Sequence, residues 1–510
     1  MNRMRKFLAD GLILAAAAVF MRTVGVSWNA YVSNAVGAEA MGLLSLVMSV
    51  YGFSVTFACS GVGLGVTRTV SEALGKGDIK GARKALRTAV IYSLIFGAVS
   101  TSVIFVGADF IGNSLLGDSR TVKCVRALAL SMTPIALSSV FVGYFNAVRR
   151  VYKSAVASVF EQFVRMGACV TLFSFMLPKG VEGACMSVII GGAFSECASC
   201  AASGLVCFFD CKMHLKKGRG CISATPRSHI KDLCSVALPI AASTYLRSAL
   251  VTIEHMLIPR ALKKNGLSHA QSLSSYGMLG SMVLPVVLYP ASLTGAFASL
   301  LVPELAGAKA RGEISHIDRA ANKAISVTFA FAAGVSGVMI SYSSALGSVI
   351  YDSVEAGKYI RLLAPIIPIM YLDTVVDSML KGLGYQVYTM VVNIIDAAVS
   401  VLGVIILIPR LGILGYVILI CVSEIINASA SCYKLMEVAN VRIPLVRCVA
   451  FPILASVSSC FFVKVLYSKI VYVSAQSVPG LILHICTVVL LYAGVCALSV
   501  PKADADRIKA

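Results

Sequence analysis

The sequence predicts an all-α integral membrane protein with about fourteen transmembrane helices, arranged as two pseudo-symmetric six-helix lobes plus two C-terminal helices. Composition, recurring apolar segments and an internal repeat predict this fold. Of the 510 residues, 58% are hydrophobic and 13% are charged, and the mean hydropathy is +0.86. Soluble domains contain about 25% charged residues. The chain is therefore expected to lie in a membrane, without a sizeable soluble domain.

Apolar segments long enough to cross a bilayer, about 20 residues each, recur along the whole chain. The segments 41–66 and 272–302 are the two expected to bend. We expect spans at residues 8–32, 41–66, 88–111, 124–147, 154–177, 181–208, 233–259, 272–302, 321–346, 357–383, 387–408, 412–436, 443–467 and 478–500.

The net charge of +20 is distributed in a pattern that indicates topology rather than nucleic-acid binding. Lys and Arg gather in alternate loops, and the loops between them carry few cations. This positive-inside pattern predicts an even number of spans with both termini in the cytoplasm. The N-terminus resembles a signal peptide, but its apolar character continues past Arg22 to Tyr31, which favours a retained first span.

The 16 cysteines do not indicate a metal site or a disulfide framework. Most of them lie inside predicted spans, where a thiol behaves as a small hydrophobic group. Cys197 and Cys200 form a C-x-x-C pair, but neither a second pair nor a histidine lies near them in the sequence. We therefore expect no metal site at these cysteines and no cofactor.

Two pairs of motifs recur about 235 residues apart and indicate a tandem repeat. In residues 71–89 and 303–324, a basic-Gly-acidic turn precedes a basic amphipathic segment that enters the next span. Gly-x-x-Gly then opens the sixth span at Gly180 and the twelfth at Gly412, and each of these spans carries a Ser-Glu pair. Parallel repeats of this kind are found in transporters that bind their substrate near the midplane of the membrane.

The repeat predicts four segments along the chain. An N-terminal six-helix lobe is expected at residues 1–208 and a basic cytoplasmic linker at 209–232. A C-terminal six-helix lobe is expected at 233–436, and two extra transmembrane helices with a short cytoplasmic tail at 437–510.

Three arginines are the candidate substrate-binding residues. Arg22 lies in the middle of the first apolar segment, with no acidic residue between it and Asp10. A guanidinium at that depth costs several kcal/mol unless it faces a watery cavity or an anion. Arg247 occupies the corresponding first helix of the second lobe, and Arg68 lies at the cytoplasmic mouth. Arginine suits phosphate because its planar fork donates paired hydrogen bonds; structural pairing, or for Arg68 the topology rule, is the alternative.

Several motifs resemble the multidrug/oligosaccharidyl-lipid/polysaccharide exporter superfamily over nearly the whole chain. Phe20-Met-Arg22-Thr-Val-Gly25 is similar to the first-helix motif of lipid II flippases. The following segments resemble the stage V sporulation protein B branch: Glu254–Leu262, Ser275–Gly277, Leu301–Glu304, Gly143–Asn146 and Glu161–Arg165. The resemblance implies a non-enzymatic flippase in the bacterial cytoplasmic membrane that moves an undecaprenyl-pyrophosphate-linked glycan, in the manner of a peptidoglycan precursor.

The resemblance also implies the partners, and it has limits. Its expected partners are a polyprenyl-pyrophosphate-linked glycan, membrane lipid and proteins of cell-wall synthesis, in a sporulation setting, and no nucleic acid. True lipid II flippases carry further arginines where this chain has Trp28-Asn29 and Ser54-Val55. Arg22 therefore indicates an anionic lipid headgroup more firmly than it indicates lipid II as the substrate.

Acidic residues of the second lobe are the candidates for ion coupling. Asp373 and Asp377 are four residues apart and share one helical face, and Asp396 lies in the next span. Such carboxylates could hold Na+ or carry H+. Because lipid II flippases hold sodium in the second lobe, the resemblance implies Glu254 and Asp396 as coupling residues. Packing between helices is the alternative role for all four.

Two alternatives to a lipid-linked oligosaccharide flippase follow from the same sequence. A cation-coupled multidrug exporter of this superfamily needs a deep carboxylate in the first lobe, whereas the first two helices offer Arg22. A non-transporting scaffold for cell-wall synthesis has no need of costly charge inside the membrane. The first alternative is disfavoured by the sign of the charge and the second by its depth.

Overall fold

A computed structural model describes residues 2–59, 61–75, 77–148, 150–214, 226–441, 446–471 and 473–498, and within these ranges the chain forms helices and no strand. The α-helices are α1 Asn2–Cys59, α2 Val62–Gly75, α3 Ile79–Asp109, α4 Thr121–Ala129, α5 Met132–Ala147, α6 Val151–Met176, α7 Gly180–His214, α8 Pro226–Lys264, α9 His269–Gly277, α10 Leu284–Val287, α11 Ala291–Ala310, α12 Ile314–Ser341, α13 Ser343–Tyr351, α14 Val354–Leu363, α15 Ile367–Gly382, α16 Gln386–Leu411, α17 Ile413–Val438, α18 Phe451–Leu466 and α19 Val478–Leu498. Short π-helical segments occupy Phe110–Leu116, Met278–Val283, Val446–Ala450 and Tyr467–Val471, and 3-10 turns occupy Leu177–Lys179 and Ala364–Ile366.

The described residues contain 10 helical segments long and apolar enough to cross a membrane, or 11 if the bent pair α4–α5 is one span. The all-helical membrane fold is confirmed, whereas the predicted count of fourteen is not. Two of the segments, Phe20–Cys59 and Tyr152–Lys212, contain 40 and 61 residues. About 20 residues suffice for one crossing, and each segment is interrupted by a glycine with positive φ, at Gly37 and Gly180.

The two halves use the same turn where the repeat was predicted. Gly77 and Gly312 have φ of 73° and 71°, a left-handed conformation that favours glycine. In each turn the N–H of the next residue, Asp78 or Glu313, donates to the carbonyl five residues earlier, at 2.9 and 3.0 Å. This hydrogen bond ends one helix in a Schellman motif before the next helix begins.

The second pair of repeat motifs also shares one backbone conformation. Gly180 has φ 79° and ψ −158°, and Gly412 has φ 59° and ψ −141°. Both glycines therefore reverse the chain between two long helices, α6 and α7 in one half and α16 and α17 in the other. The backbone conformation is thus alike at both pairs of motifs, whereas the repeat of six helices stays a prediction.

The helices pack as two compact units whose limits differ from those of the sequence repeat. The N-terminal unit is Val36–Gly277, and the C-terminal unit contains the residues up to Ala35 together with those from Met278 onward. The first predicted span thus belongs to the C-terminal unit. The predicted segments 1–208, 209–232, 233–436 and 437–510 follow the repeat rather than the packing and stay a prediction; residues 215–225 lie outside the described residues.

In the N-terminal unit, α2, α3, α5 and α7 surround a core of Val, Ala and Leu side chains with Tyr144 and Phe145. Helices α2 and α5 approach closely because Gly143 has no side chain. A Cβ at Gly143 would lie 2.6 Å from the Gly63 carbonyl oxygen, and Thr67 donates a hydrogen bond to the Gly143 carbonyl at 3.1 Å.

In the C-terminal unit, α11, α12, α15 and α17 pack around a second apolar core, which includes Leu305, Ala321, Val376, Met379 and Leu435. Helix α11 follows a broken segment that lies beside Arg22. Polar side chains of α15 form hydrogen bonds with α16 and α17.

A charged network joins three separate parts of the N-terminal unit. Arg120 contacts Asp118 at 2.7 Å and Glu39 at 2.9 Å, and His269 lies 2.8 Å from the same Asp118. Burial alone would raise the pKa of Asp118, but hydrogen bonds from Arg120 and His269 outweigh burial and lower it. The network therefore connects the segment before α4 and the first residue of α9 to α1.

We expect Asp118→Asn to lower the free energy of unfolding at pH 7 by roughly 2 kcal/mol, because it leaves the half-buried donors of Arg120 and His269 without their charged acceptor. The pKa of Asp118 is lowered in the folded state, so its contribution is present above its ordinary pKa of about 3.9 and is lost as the pH falls through the folded pKa. The unfolding midpoint in detergent at pH 7 and pH 3 measures the difference, which should shrink at pH 3.

The matched control is Asp109→Asn, which breaks an exposed pair with Arg126. Exposed ion pairs contribute about 0–1 kcal/mol. Equal unfolding midpoints for the two variants at pH 7 would contradict the role given to Asp118.

Candidate functional site

Arg22 lines a cavity of about 510 Å³ inside the C-terminal unit. Its side chain is exposed, and no carboxylate in the described part of the chain pairs with it. The lining residues are Met21, Arg22, Gly25, Val26, Asn29, Pro285 and Ser292. None of these is acidic, so the cavity presents an uncompensated positive charge.

The wall opposite α1 is a broken helical segment. Two prolines interrupt it, Pro285 near the start of α10 and Pro290 before α11, because proline lacks an N–H and clashes with the preceding turn. In the break, the Tyr289 and Thr23 hydroxyls are 2.8 Å apart, which ties the segment to α1 beside Arg22. The predicted bend in 272–302 is confirmed.

Asn29 lies on the same face of α1 as Arg22, two helical turns further along and one turn after Gly25 and Val26. Its Oδ1 atom is buried and has no hydrogen-bond partner among the described residues. Buried polar atoms are nearly always satisfied by protein, water or ligand. The sequence distinguished Asn29 only as a position where lipid II flippases carry an arginine. Its place in the Arg22 cavity follows from the i, i+7 spacing, which puts both residues on one face of α1.

The other two candidate arginines lie in the N-terminal unit. Arg247 is exposed on α8, two residues after Tyr245, whose ring contacts that of Phe57 with centroids 5.7 Å apart. Arg68 is 61% exposed and pairs with Glu72, one turn along α2, at 2.8 Å. A cavity shared by Arg22 and Arg247 stays a prediction, and so does a headgroup role for Arg68.

Glu161 and Arg165 are four residues apart on α6 and form an ion pair, as helical spacing favours, within a larger network. Arg165 contacts Glu161 at 2.6 Å and Glu196, on α7, at 3.4 Å. The Tyr51 hydroxyl also donates to Glu196 at 3.0 Å. One guanidinium therefore pairs with two half-buried carboxylates, which fits a structural role.

Asp373 and Asp377 share one buried face of α15, as predicted. Asp373 accepts a hydrogen bond from Asn427 on α17 at 3.1 Å, and its other oxygen, Oδ1, is buried without a partner among the described residues. Asp377 accepts from Asn393 at 3.3 Å and from Ser431 at 3.2 Å. The amide and hydroxyl partners were not predicted, because their pairing depends on how α16 and α17 pack against α15.

Two further acids join this group. Asp396 on α16 accepts a hydrogen bond from Ser423, and Glu424 on α17 lies within electrostatic range of Asp373, Asp377 and Asp396. We call Asp373, Asp377, Asp396 and Glu424 the acid cluster. Glu254 is half-buried on α8 and belongs to the N-terminal unit, so the acid cluster is formed without it.

The acid cluster and the Glu161–Glu196 group of the N-terminal unit have different basic neighbours. Asp377 contacts Lys381, which is half exposed, at 3.7 Å. Counted from the first residue of each helix, Arg165 on α6 corresponds to Ser400 on α16. Ser400 contacts Ser423 at 3.1 Å but brings no charge. No three His, Cys, Asp or Glu residues of the described ranges are arranged as a ready metal site.

Comparison with solved structures agrees with the helical architecture. The structure of lipid II flippase MurJ in an inward closed conformation matches with a TM-score of 0.71, over 95% of this chain and 98% of that chain. The two sequences are 13% identical over the match. The likeness establishes the fold, an all-helical membrane fold with many helices.

Two curated relatives and a family model extend the comparison to the sequence. Stage V sporulation protein B of Bacillus subtilis is 23% identical over 80% of this chain and 79% of its own length. Lipid II flippase MurJ of the same organism is 21% identical over 78% of this chain and 76% of its own length. The family model described as polysaccharide biosynthesis protein matches residues 7–306, more than half of the sequence. The chain is a multi-pass membrane protein that belongs to the polysaccharide biosynthesis protein family.

Proposed function

We propose that the protein is a flippase that translocates an undecaprenyl-pyrophosphate-linked oligosaccharide, a peptidoglycan precursor of the lipid II type, across the bacterial cytoplasmic membrane. The headgroup is exposed alternately to the two sides of the membrane, with both termini cytoplasmic and no bond made or broken. We place this activity in cell-wall synthesis during sporulation, because the curated relatives include a stage V sporulation protein.

The observation that carries the proposal is the exposed Arg22 guanidinium in a cavity without an acidic lining residue. A pyrophosphate offers several oxygens to the planar fork of an arginine, and such charge-assisted hydrogen bonds are about twice as strong as neutral ones. An anion at this site offsets the cost of keeping the charge at membrane depth.

The sign of this charge also separates the proposal from its main rival. An exporter of organic cations needs a carboxylate where its substrate binds, because like charges repel in a low-dielectric cavity. The Arg22 cavity has the opposite polarity. The relative named as a lipid II flippase supports a lipid-linked anion.

We further propose that the acid cluster couples translocation to a cation, either Na+ or H+. Four carboxyl groups on α15, α16 and α17 lie within electrostatic range of one another, and Asp377 contacts a half-exposed lysine. Mutual repulsion favours the uptake of positive charge, whether as a bound ion or as a proton on one carboxyl. Oxygen atoms of Asn427, Ser431 and Ser423 are the neutral ligands within reach.

We expect Arg22→Ala to reduce transport of lipid II into the lumen of reconstituted vesicles by roughly 10- to 100-fold, the value of one or two charge-assisted hydrogen bonds. Arg22→Lys should recover only part of this loss, because an ammonium lacks the bidentate geometry. The measurement is the initial rate at which labelled precursor becomes accessible on the far side.

Arg361→Ala, which removes an exposed arginine from α14, is the matched control and should keep the wild-type rate. An unchanged rate for Arg22→Ala would refute the role of Arg22 and revive the scaffold alternative. A wild-type protein that moves organic cations but no lipid-linked precursor would refute the flippase proposal itself.

We expect Asp373→Asn to abolish the dependence of transport on the coupling cation, because it removes a buried carboxyl whose Oδ1 has no partner among the described residues. Initial rates with imposed Na+ or pH gradients, measured one at a time, identify which cation drives the wild-type protein. Glu437→Gln neutralises an exposed acid at the end of α17 and should leave that dependence intact. A gradient dependence that survives in both Asp373→Asn and Asp396→Asn would exclude the acid cluster as the coupling site.

A further inference from the structure

A second cavity lies in the N-terminal unit and is independent of the Arg22 cavity. Its volume is about 510 Å³, and it lies where α3 begins and α7 ends. Basic side chains and apolar side chains both line it. The basic ones are Arg83, Arg87 and Lys212, and the apolar ones are Leu86, Val90, Phe141 and Phe208 with Gly204, Cys207 and Cys211.

The charge of this cavity is uniformly positive, because no acidic residue is among those that line it. Asp210, which precedes Cys211 in the sequence, is 1% exposed and is not among the lining residues. It pairs with Arg150 and Lys153 of the α6 region and accepts a hydrogen bond from Tyr144 at 3.0 Å. The cavity therefore keeps a net attraction for anions.

The cavity also lies at a boundary between lipid and water. The apolar segments that flank it are Ile79–Leu116, which starts four residues before Arg83, and Tyr152–Lys212, which ends at Lys212 itself. The charge pattern of the loops predicts that this boundary is the cytoplasmic one. An occupant would have its polar part beside the cations and its apolar part beside the exposed ring of Phe208.

We propose that this cavity binds an anionic phospholipid of the adjacent leaflet. The headgroup phosphate contacts Arg87 and Lys212, and an acyl chain lies against Leu86, Val90 and Phe208. Basic pockets between transmembrane helices at the cytoplasmic side have the chemistry that binds such headgroups. The binding is separate from translocation of the proposed substrate and does not depend on it.

The fold itself does not require these cations, as the other half of the repeat demonstrates. Counted from the start of α3 and α12, Arg83 and Arg87 correspond to Asp318 and Asn322. In the C-terminal unit these two side chains hold the chain after α17, because Asn440 donates to Asp318 at 2.8 Å and accepts from Asn322 at 3.2 Å. In the N-terminal unit, the corresponding Arg83 and Arg87 line the second cavity instead.

A single tryptophan placed in the cavity tests the proposal. Trp28, the one tryptophan of the sequence, is replaced by Phe, and Phe208→Trp supplies the reporter. The full chain is reconstituted in phosphatidylcholine vesicles that contain brominated phosphatidylglycerol or brominated phosphatidylcholine. Quenching of the tryptophan gives the relative association constant of the two lipids at the cavity.

We expect phosphatidylglycerol to be favoured by at least fivefold, the contribution of one basic residue near an anionic headgroup. Arg87→Ala with Lys212→Ala should bring the ratio close to one, whereas Arg87→Lys with Lys212→Arg should keep it within twofold. Arg319→Ala with Lys323→Ala removes the same charge from exposed positions of α12 and should have no effect.

Three results would overturn the proposal. They are equal quenching by the two lipids in the reporter protein, a preference that survives loss of Arg87 and Lys212, and an equal loss in the Arg319/Lys323 control. Excess inorganic phosphate should not displace the lipid, since it has no apolar part; displacement would indicate a site for small anions instead. Because no substrate is transported in this assay, failure here leaves the proposed flippase activity standing.

Discussion

The cost of placing charge at membrane depth governs the arrangement of polar residues in this protein. An ionised side chain that leaves water without compensation is destabilised by several kcal/mol. The N-terminal unit meets this cost internally: Arg165 serves Glu161 and Glu196, and Asp210 is surrounded by Arg150 and Lys153. In the C-terminal unit, by contrast, Arg22 is exposed in a cavity that has no acidic lining residue. Charge that the protein does not neutralise itself is available to a ligand.

Because the sequence motifs repeat, the charges of the two halves can be compared at corresponding positions. The two halves share the backbone conformation of their turns at Gly77 and Gly312. Counted from the first residue of each helix, Arg165 of α6 corresponds to Ser400 of α16. At this position the N-terminal half has a guanidinium that pairs with Glu161 and Glu196, whereas the C-terminal half has a hydroxyl that contacts Ser423. The proposed coupling site therefore differs from the structural ion network of the N-terminal half in the residue at this position.

Local features of the sequence predicted the fold class, the repeat and several contacts, whereas long-range packing limited the rest. The pair Glu161–Arg165 and the shared face of Asp373 and Asp377 follow from helical spacing alone, and the structure confirms both. The partners of those acids on neighbouring helices depend on helix register, which spacing does not determine. The same limit applies to the packing units, because nothing local in the first span indicates that it packs with the second half.

The C-terminal unit provides a physical connection between the Arg22 cavity and the acid cluster. Thr23 contacts Tyr289 in the broken segment, and the buried Tyr371 donates to the carbonyl of Val287 in that same segment at 2.8 Å. Tyr371 is two residues before Asp373 on α15, so one rigid helix carries both the contact and the acid. Binding at two sites is linked only if each ligand favours the same state of a shared element. The segment between α10 and α11 has the contacts that such an element needs, since it is interrupted by proline and held by tyrosine hydroxyls rather than by a continuous helix.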